Sequence, residues 1–239
     1  MKILADIHCH TNVSTHAYST IKEMAECAAE RGLEAMAMTN HAPALPDSAH
    51  LFHFQGIHSI PRKICGVIIL RGVECSLTDK NGGLDLPERE LEHLEIVIAS
   101  IHSPVYLPKS KKEQTNAWLN VIENPLVDIL GHLGRERTGL DAEEIVKKAK
   151  AYNKLIEINA HTVNYGSKAD SNCREIIKAC KKYDMPIVVN SDAHICYNVG
   201  AVDHALSILA EVDYDEELVM NTSLDKLLDF LSVRKNIIL

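Results

Sequence analysis

Nothing in the 239-residue sequence approaches the run of about 20 consecutive apolar residues that a membrane-spanning helix requires. The N-terminus shows no secretory-signal pattern. Seven cysteines are present (Cys9, Cys27, Cys65, Cys75, Cys173, Cys180 and Cys196), but their count is odd, their spacing scattered, and no Cys-x-x-Cys pair occurs. This pattern reads as reduced thiols in a cytoplasmic protein rather than a disulfide framework. Basic residues are in deficit, 25 Lys and Arg against 33 Asp and Glu for a formal charge of −8. Long nucleic acids, which need a clustered basic surface, are therefore not expected as partners, and neither is a membrane. A small phosphorylated substrate stays compatible, because bound metal ions can supply local positive charge. Linkers, tandem repeats and low-complexity tracts are also missing. One domain over residues 1–239 is expected, close to the length of a single α/β barrel. A homo-oligomer is compatible with this reading. The abundant residue is histidine, 13 in all, several in pairs or at short spacings.

Short apolar runs alternate with helical patterns. Strands are predicted at Ile3–Ile7, Ala35–Thr39, Val67–Val73, Glu95–Ile101, Leu126–Leu130, Leu155–Ile158 and Pro186–Val189. Their continuous Ile/Val/Leu character suits strands buried on both faces, as in a parallel sheet. Helices are predicted at Ile21–Arg31, Lys111–Glu123, Asp141–Tyr152 and Asn172–Tyr183, with Asp141 and Glu144 as a capping box and Asp170 or Ser171 as a cap. The His-, Pro- and Ser-rich segment 40–61 reads as a loop with an irregular helix, and 77–91, carrying Asn81-Gly82-Gly83, as a hairpin or turn. Alternating β and α elements imply a parallel α/β architecture.

Metal-ligating residue types fall where the predicted strands end: His8, His41, Glu74, His102, His132, His161 and Asp192 follow one another at intervals of 33, 33, 28, 30, 29 and 31 residues. About 30 residues is one βα unit. Polar residues at that period would meet on the C-terminal rim of a closed barrel, where such folds place their active sites. An open doubly wound sheet gathers only a few of them at its switch point, so a barrel of about seven strands is favoured. In His8-Cys9-His10 the two imidazoles of an extended segment point to one side and can share an ion, while Cys9 points away. His16 follows in a loop able to fold back. Nine residues form the candidate metal set: His8, His10, His16, His41, Glu74, His102, His132, Asp192 and His194. Neutral imidazole and carboxylate suit zinc, manganese or iron, and nine ligands suit two or three ions. Seven neutral histidines and two carboxylates contribute −2, so three divalent cations would leave an excess of about +4, attractive to phosphate.

The run His8-x-His10-x5-His16, with His41, Glu74, His102, His132 and Ser191-Asp192-Ala193-His194, resembles the PHP (polymerase and histidinol phosphatase) family. The Gly72-Val73-Glu74 and Glu157-Ile158-Asn159 strand ends match as well. Order and spacing are nearest to its stand-alone YcdX-type metal-dependent phosphatases, from Ala5 to about Val233. The resemblance implies a distorted seven-stranded TIM-like (β/α)7 barrel, the PHP fold, holding three divalent ions, usually zinc. His8, His10, Glu74 and Asp192 would hold one ion, Glu74 would bridge to a second shared with His102 and His132, and His16, His41 and His194 would hold the third. The implied activity is phosphoesterase, with a hydroxide bridging two ions as nucleophile. Asp192, Glu74 and His194 are the expected catalytic residues, Asp192 placed to orient or deprotonate the water. Two rim segments depart from the pattern: Leu133-Gly134-Arg135-Glu136-Arg137 replaces a Pro-Gly-Asn-Pro type loop, and Ala160-His161 replaces Asn and small polar residues.

Arg135 and His161 are accordingly candidate substrate contacts; Arg135 or Arg137 could clamp a phosphate oxygen. His50, His53, His58, His93 and His204 read as structural or surface residues, although the first three lie in a loop able to cover the pocket. Alternation points Arg71 away from the site and gives Cys9 and Cys75 packing roles. An amidohydrolase-type deaminase or amidase also opens with His-x-His, but it lacks the third histidine and the Asp-x-His ending. A non-catalytic metal-binding regulatory module would show eroded ligands, and none is eroded here.

Overall fold

The computed structural model describes residues 1–135, 138–233 and 235. In chain order the elements are β1 (Ala5–Cys9), α1 (Ile21–Glu30), β2 (Ala35–Met38), α2 (Leu51–Gly56), β3 (Lys63–Ile64), β4 (Val67–Ser76), α3 (Glu88–Leu91), β5 (Ile96–Ser100), α4 (Lys111–Ile122), β6 (Ile129–Leu130), α5 (Ala142–Ala151), β7 (Leu155–Asn159), α6 (Ala160–Val163), α7 (Ser167–Lys182), β8 (Ile187–Asn190), α8 (Asp203–Glu211) and α9 (Leu224–Ser232). Seven strands pair in parallel in the order β1-β2-β4-β5-β6-β7-β8, and β3 adds a short antiparallel flap to β4. The expected seven-stranded TIM-like barrel is what forms.

Alternation along the strands builds two apolar layers. Inward residues such as Ala5, Ile7, Ala37, Leu70, Ile98 and Val188 form an inner cluster, joined by Leu227 and Leu231 of α9, at the end opposite the ligand-bearing rim. Outward residues, among them Met36, Ile69, Val73, Val97, Ile156 and Val189, meet the buried stripes of the helices. Cys9 and Cys75 lie in this outer layer, as alternation requires.

The barrel nearly closes between β1 and β8 through one parallel bridge, Cys9 to Ala193, with His10 N–H donating to Ala193 O at 2.8 Å. Side chains complete the seam. The Asn221 amide donates to Ala5 O (2.8 Å) and Val189 O (2.6 Å) and accepts from Val189 N–H (3.0 Å). Asn190 Oδ1 accepts from Ile7 N–H at 3.1 Å. Buried strand-edge groups that would otherwise lack partners are thus satisfied.

Several boundaries differ from expectation. β4 continues to Ser76, so Glu74 sits inside a strand rather than after it, while β6 shrinks to two residues. α7 starts at Ser167 behind Gly166 (φ 140°), not at Asn172, so Asp170 lies in its first turn instead of capping it. Asp141 does cap α5, accepting from Glu144 N–H at 3.1 Å. The 40–61 segment contains α2 and a following 3-10 turn, and Leu77 bridges Leu84 as a short hairpin. Among the described residues no helix is long and apolar enough to cross a membrane.

Candidate metal centre

The sequence-predicted ligands converge on the rim around Glu74. Its Oε1 lies 2.8 Å from His132 Nε2 and 3.4 Å from both His8 Nε2 and His102 Nε2. Its Oε2 lies 2.7 Å from His41 Nδ1 and 3.6 Å from His10 Nε2. Asp192 Oδ1 lies 3.2 Å from His10 Nε2 and 3.6 Å from His8 Nε2 and His194 Nδ1. His16 reaches the group through His194, their Nε2 atoms 3.0 Å apart. All nine predicted residues are therefore brought together.

Backbone conformation aims two of them. His132 (φ 31°) and Asp192 (φ 57°) occupy the left-handed region, which His and Asp tolerate better than most residues. Beneath His132, a Cβ on Gly131 would collide with Ser100 Oγ and come within 2.8 Å of Ile98 Cγ2, so only glycine lets β5 and β6 approach there.

Four histidines share one arrangement: Nδ1 faces an oxygen that fixes the ring, and Nε2 faces the cluster. The fixing oxygens are Glu157 Oε1 for His8 (2.7 Å), Asp47 Oδ2 for His16 (2.6 Å), Ser76 Oγ for His102 (2.9 Å) and the Asp192 carbonyl for His194 (2.9 Å). Such partners orient metal-binding imidazoles. Glu157 is the most connected: it also accepts from His132 N–H, Asn159 Nδ2 and Asn190 Nδ2. Sequence reasoning singled out neither Glu157 nor Asp47 as a site residue. For Glu157 a signal existed, a carboxylate in phase with inward Leu155 on a buried apolar strand.

The donor set fits metal ions. Buried His8 Nε2, His10 Nε2, His41 Nδ1, Glu74 Oε2 and Asp192 Oδ1 have no hydrogen-bond partner among the described residues; His41 Nδ1 and Glu74 Oε2 are close without hydrogen-bond alignment. Tetrahedral coordination with bonds of about 2.0–2.1 Å places ligand atoms roughly 3.3 Å apart, close to the 3.2–3.6 Å separations here. Three trios have ligand atoms within 4.8 Å of one another: His8–His10–Glu74, His41–Glu74–His102 and His10–His41–His194. The last trio has His10 with His41 and His194 where the expectation had His16, whose ring lies farther from His41 (5.1 Å against 4.3 Å) and from His194 (4.7 Å against 4.3 Å).

Electrostatics favour cation binding. Burial would raise the Glu74 and Asp192 carboxyls, yet the surrounding histidines hold both well below the ordinary range. Burial and neighbouring imidazoles push His10 well down, and burial lowers His41 and His194, leaving neutral ligands. Burial also opposes charge on His8, but Glu157, Glu74 and Asp192 outweigh it and raise its pKa, so the site attracts positive charge.

The cluster floors a cleft of about 820 Å³. Both predicted substrate contacts line it: the Arg135 guanidinium lies 5.1 Å over the Tyr165 ring, and His161 Nδ1 is 3.6 Å from Asp192 Oδ2. Arg137 lies outside the described residues. Of the other histidines, His50 caps α2, His53 contacts Asn40, and His204 meets Asn164 on the surface.

Fold and site together define a β/α barrel whose C-terminal rim carries a histidine–carboxylate cluster able to hold metal. The chain belongs to the PHP family: a PHP domain model matches residues 6–161, and a PHP-associated model matches residues 170–207. It is 43% identical over 235 residues to a probable phosphatase of Acetivibrio thermocellus, covering 98% of each chain. It is 45% identical over 234 residues to a probable phosphatase of Clostridium novyi, covering 97% of this chain and 95% of that one. In fold it is similar to histidinol phosphate phosphatase from Lactococcus lactis, solved with zinc, L-histidinol and phosphate. That match has a TM-score of 0.66 at 20% identity, over 90% of this chain and 95% of that one.

Proposed function

We propose that the protein is a metal-dependent phosphatase acting on a small phosphorylated substrate, with the nine clustered residues holding three divalent ions, zinc foremost. The observation that carries this reading is the convergence of unpartnered imidazole nitrogens and carboxylate oxygens, at coordination spacing, on the floor of a substrate-sized cleft. Its relatives' description as probable phosphatases supports the same reading. Bound divalent cations would supply Lewis-acid charge for phosphoryl oxygens and a water acidic enough to act as nucleophile.

The chain's own residues have distinct tasks. Glu74, between imidazoles on several sides, is placed to bridge ions. Asp192, held by Asn159 Nδ2 at 3.2 Å, is placed to orient the attacking water, with His194 anchored on its backbone carbonyl. Glu157 keeps His8 in the orientation that presents Nε2. Arg135, at the rim, is placed to clamp a phosphoryl oxygen. His161, half exposed beside Asp192 and outside the ligand set, is placed to protonate the leaving oxygen. Leu45, Pro46, Ile101, Pro104 and Leu107 line the arc of the cleft formed after β2 and β5, so the leaving group has an apolar face.

The test is hydrolysis of p-nitrophenyl phosphate and its bis-ester by protein loaded separately with zinc, manganese and iron. Metal-dependent monoester turnover is expected, falling at least about 100-fold in His10→Ala. Diester turnover alone would redirect the substrate to nucleotides or short oligonucleotides. Undiminished activity in His10→Ala, or hydrolysis of amides but not phosphates, would overturn the proposal.

A further inference from the structure

A second cleft, of about 630 Å³, lies on the outer side of β4, against the segment spanning α2 and its 3-10 turn on one side and α3 on the other. Its lining includes Arg71, Arg89, His58, His93 and one carboxylate, Glu90, with Phe54 and Ile57 as buried apolar lining. Strand alternation that turns Glu74 inward to the metal cluster turns Arg71 outward to this cleft. The two clefts share no lining residue.

The charges in the cleft are not compensated. Nearby, Arg62 forms a two-pronged ion pair with Glu95, at 2.5 and 2.9 Å. Among the described residues Arg71 and Arg89 have no carboxylate within ion-pairing distance. Arg71 Nη2 donates to Ile60 O at 2.6 Å, but its Nε is buried without a partner. Glu90 is buried and accepts from Gln55 Nε2 at 3.0 Å. The remaining acidic residues of this stretch, Glu88 and Glu92, do not line the cleft. Two guanidinium groups and two imidazoles thus face one carboxylate, in a protein whose formal charge is −8. A buried donor without an acceptor is costly, and a guanidinium fork suits an oxyanion. The volume is that of a small-molecule site.

We infer that this cleft is a second, non-catalytic binding site for a small molecule with a dianionic oxyanion, such as a phosphoryl or phosphonate group, on an apolar body. The oxyanion bridges Arg71 and Arg89 while the apolar part rests against Phe54 and Ile57. His58 and His93 line the same cleft and report occupancy.

The test is titration of full-length, zinc-loaded protein with phenylphosphonate and with inorganic phosphate, following the imidazole resonances of His58 and His93. Saturable shifts are expected for both probes at constant ionic strength, with phenylphosphonate binding at least about fivefold more tightly because it buries apolar surface. Arg71→Met should weaken binding at least about tenfold while leaving phosphomonoester turnover within about twofold. Arg89→Met, an exposed substitution without risk to folding, should weaken it several-fold. Shifts that fail to saturate, or equal affinity in wild type and Arg89→Met, would overturn the site. Equal affinity for the two probes would overturn the apolar subsite.

Discussion

At the scale of single residues, candidate ligands and the groups that orient them separate cleanly. His8, His16, His102 and His194 each spend Nδ1 on an oxygen and keep Nε2 for the cluster, whereas His161 has its Nδ1 near Asp192 and is half exposed at the cleft mouth. That difference suits proton transfer to a departing oxygen. Such help matters most when the leaving group is a poor one. His161→Ala is therefore expected to slow hydrolysis of an alkyl phosphate about 100-fold while slowing p-nitrophenyl phosphate less than about tenfold. Steady-state rates on the two substrates check this; equal losses on both would assign His161 to substrate binding instead. Six of the nine candidate ligands, His8, His41, Glu74, His102, His132 and Asp192, were legible because they recur near strand ends at a nearly constant interval, and His10, His16 and His194 because they lie a few residues from one of these. Asp47 was not, because what marks it is an imidazole 31 residues away in the chain; Glu157 was readable as a buried carboxylate, but its tie to His8, 149 residues away, was not.

At the scale of elements, strands and helices with strong local patterns were readable, and those shaped by partners were not. β1, β2, β7 and β8 are apolar runs whose bounds shift by only a few residues. β6 shortens because only Ile129 and Leu130 find strand partners on both sides, and the start of α7 follows Gly166 rather than the acidic cap farther on. α9 carried a readable stripe, Leu224, Leu227, Leu228 and Leu231, that went unassigned. The rim elements are clasped by Asp85, whose carboxylate accepts from Ser76 N–H at the end of β4 (2.7 Å) and Ala44 N–H beyond β2 (3.2 Å). Burial nonetheless raises its pKa from 3.8 to about 6. The folded state therefore holds this proton more tightly than the unfolded chain. The resulting stabilisation, about 3 kcal/mol in full, is complete below pH 3.8 and lost as pH rises through about 6. Roughly half of it is present at pH 5. Denaturation of wild type and Asp85→Asn at pH 5 and 7.5 isolates the group, since other titrations cancel in the double difference. The gain in stability on acidification should be about 1.4 kcal/mol smaller in the variant; an unchanged or larger gain would refute the assignment.

At the scale of the whole molecule, two features tie the barrel into one unit: the candidate metal cluster at one rim, and the β1–β8 seam that the Cys9–Ala193 bridge and Asn221 complete. The cluster draws candidate ligands from every parallel strand or the turn after it except β7, and β7 contributes Glu157 behind them. A cation bound there cross-links elements that the unfolded chain holds apart, so binding should stabilise the fold as a whole. Free zinc at 100 times its dissociation constant should add about 2.7 kcal/mol per site. Asn221 offers the control, because its amide serves three buried backbone groups of the seam and touches none of the nine ligands. Asn221→Ala should cost about 2–4 kcal/mol through those unsatisfied groups, yet retain the zinc-dependent increment. His10→Ala should lose most of the increment. Chemical denaturation of the three proteins, each with zinc and with chelator, separates the two contributions. A zinc increment that disappears in Asn221→Ala but survives in His10→Ala would place the stabilising cation somewhere other than the rim cluster.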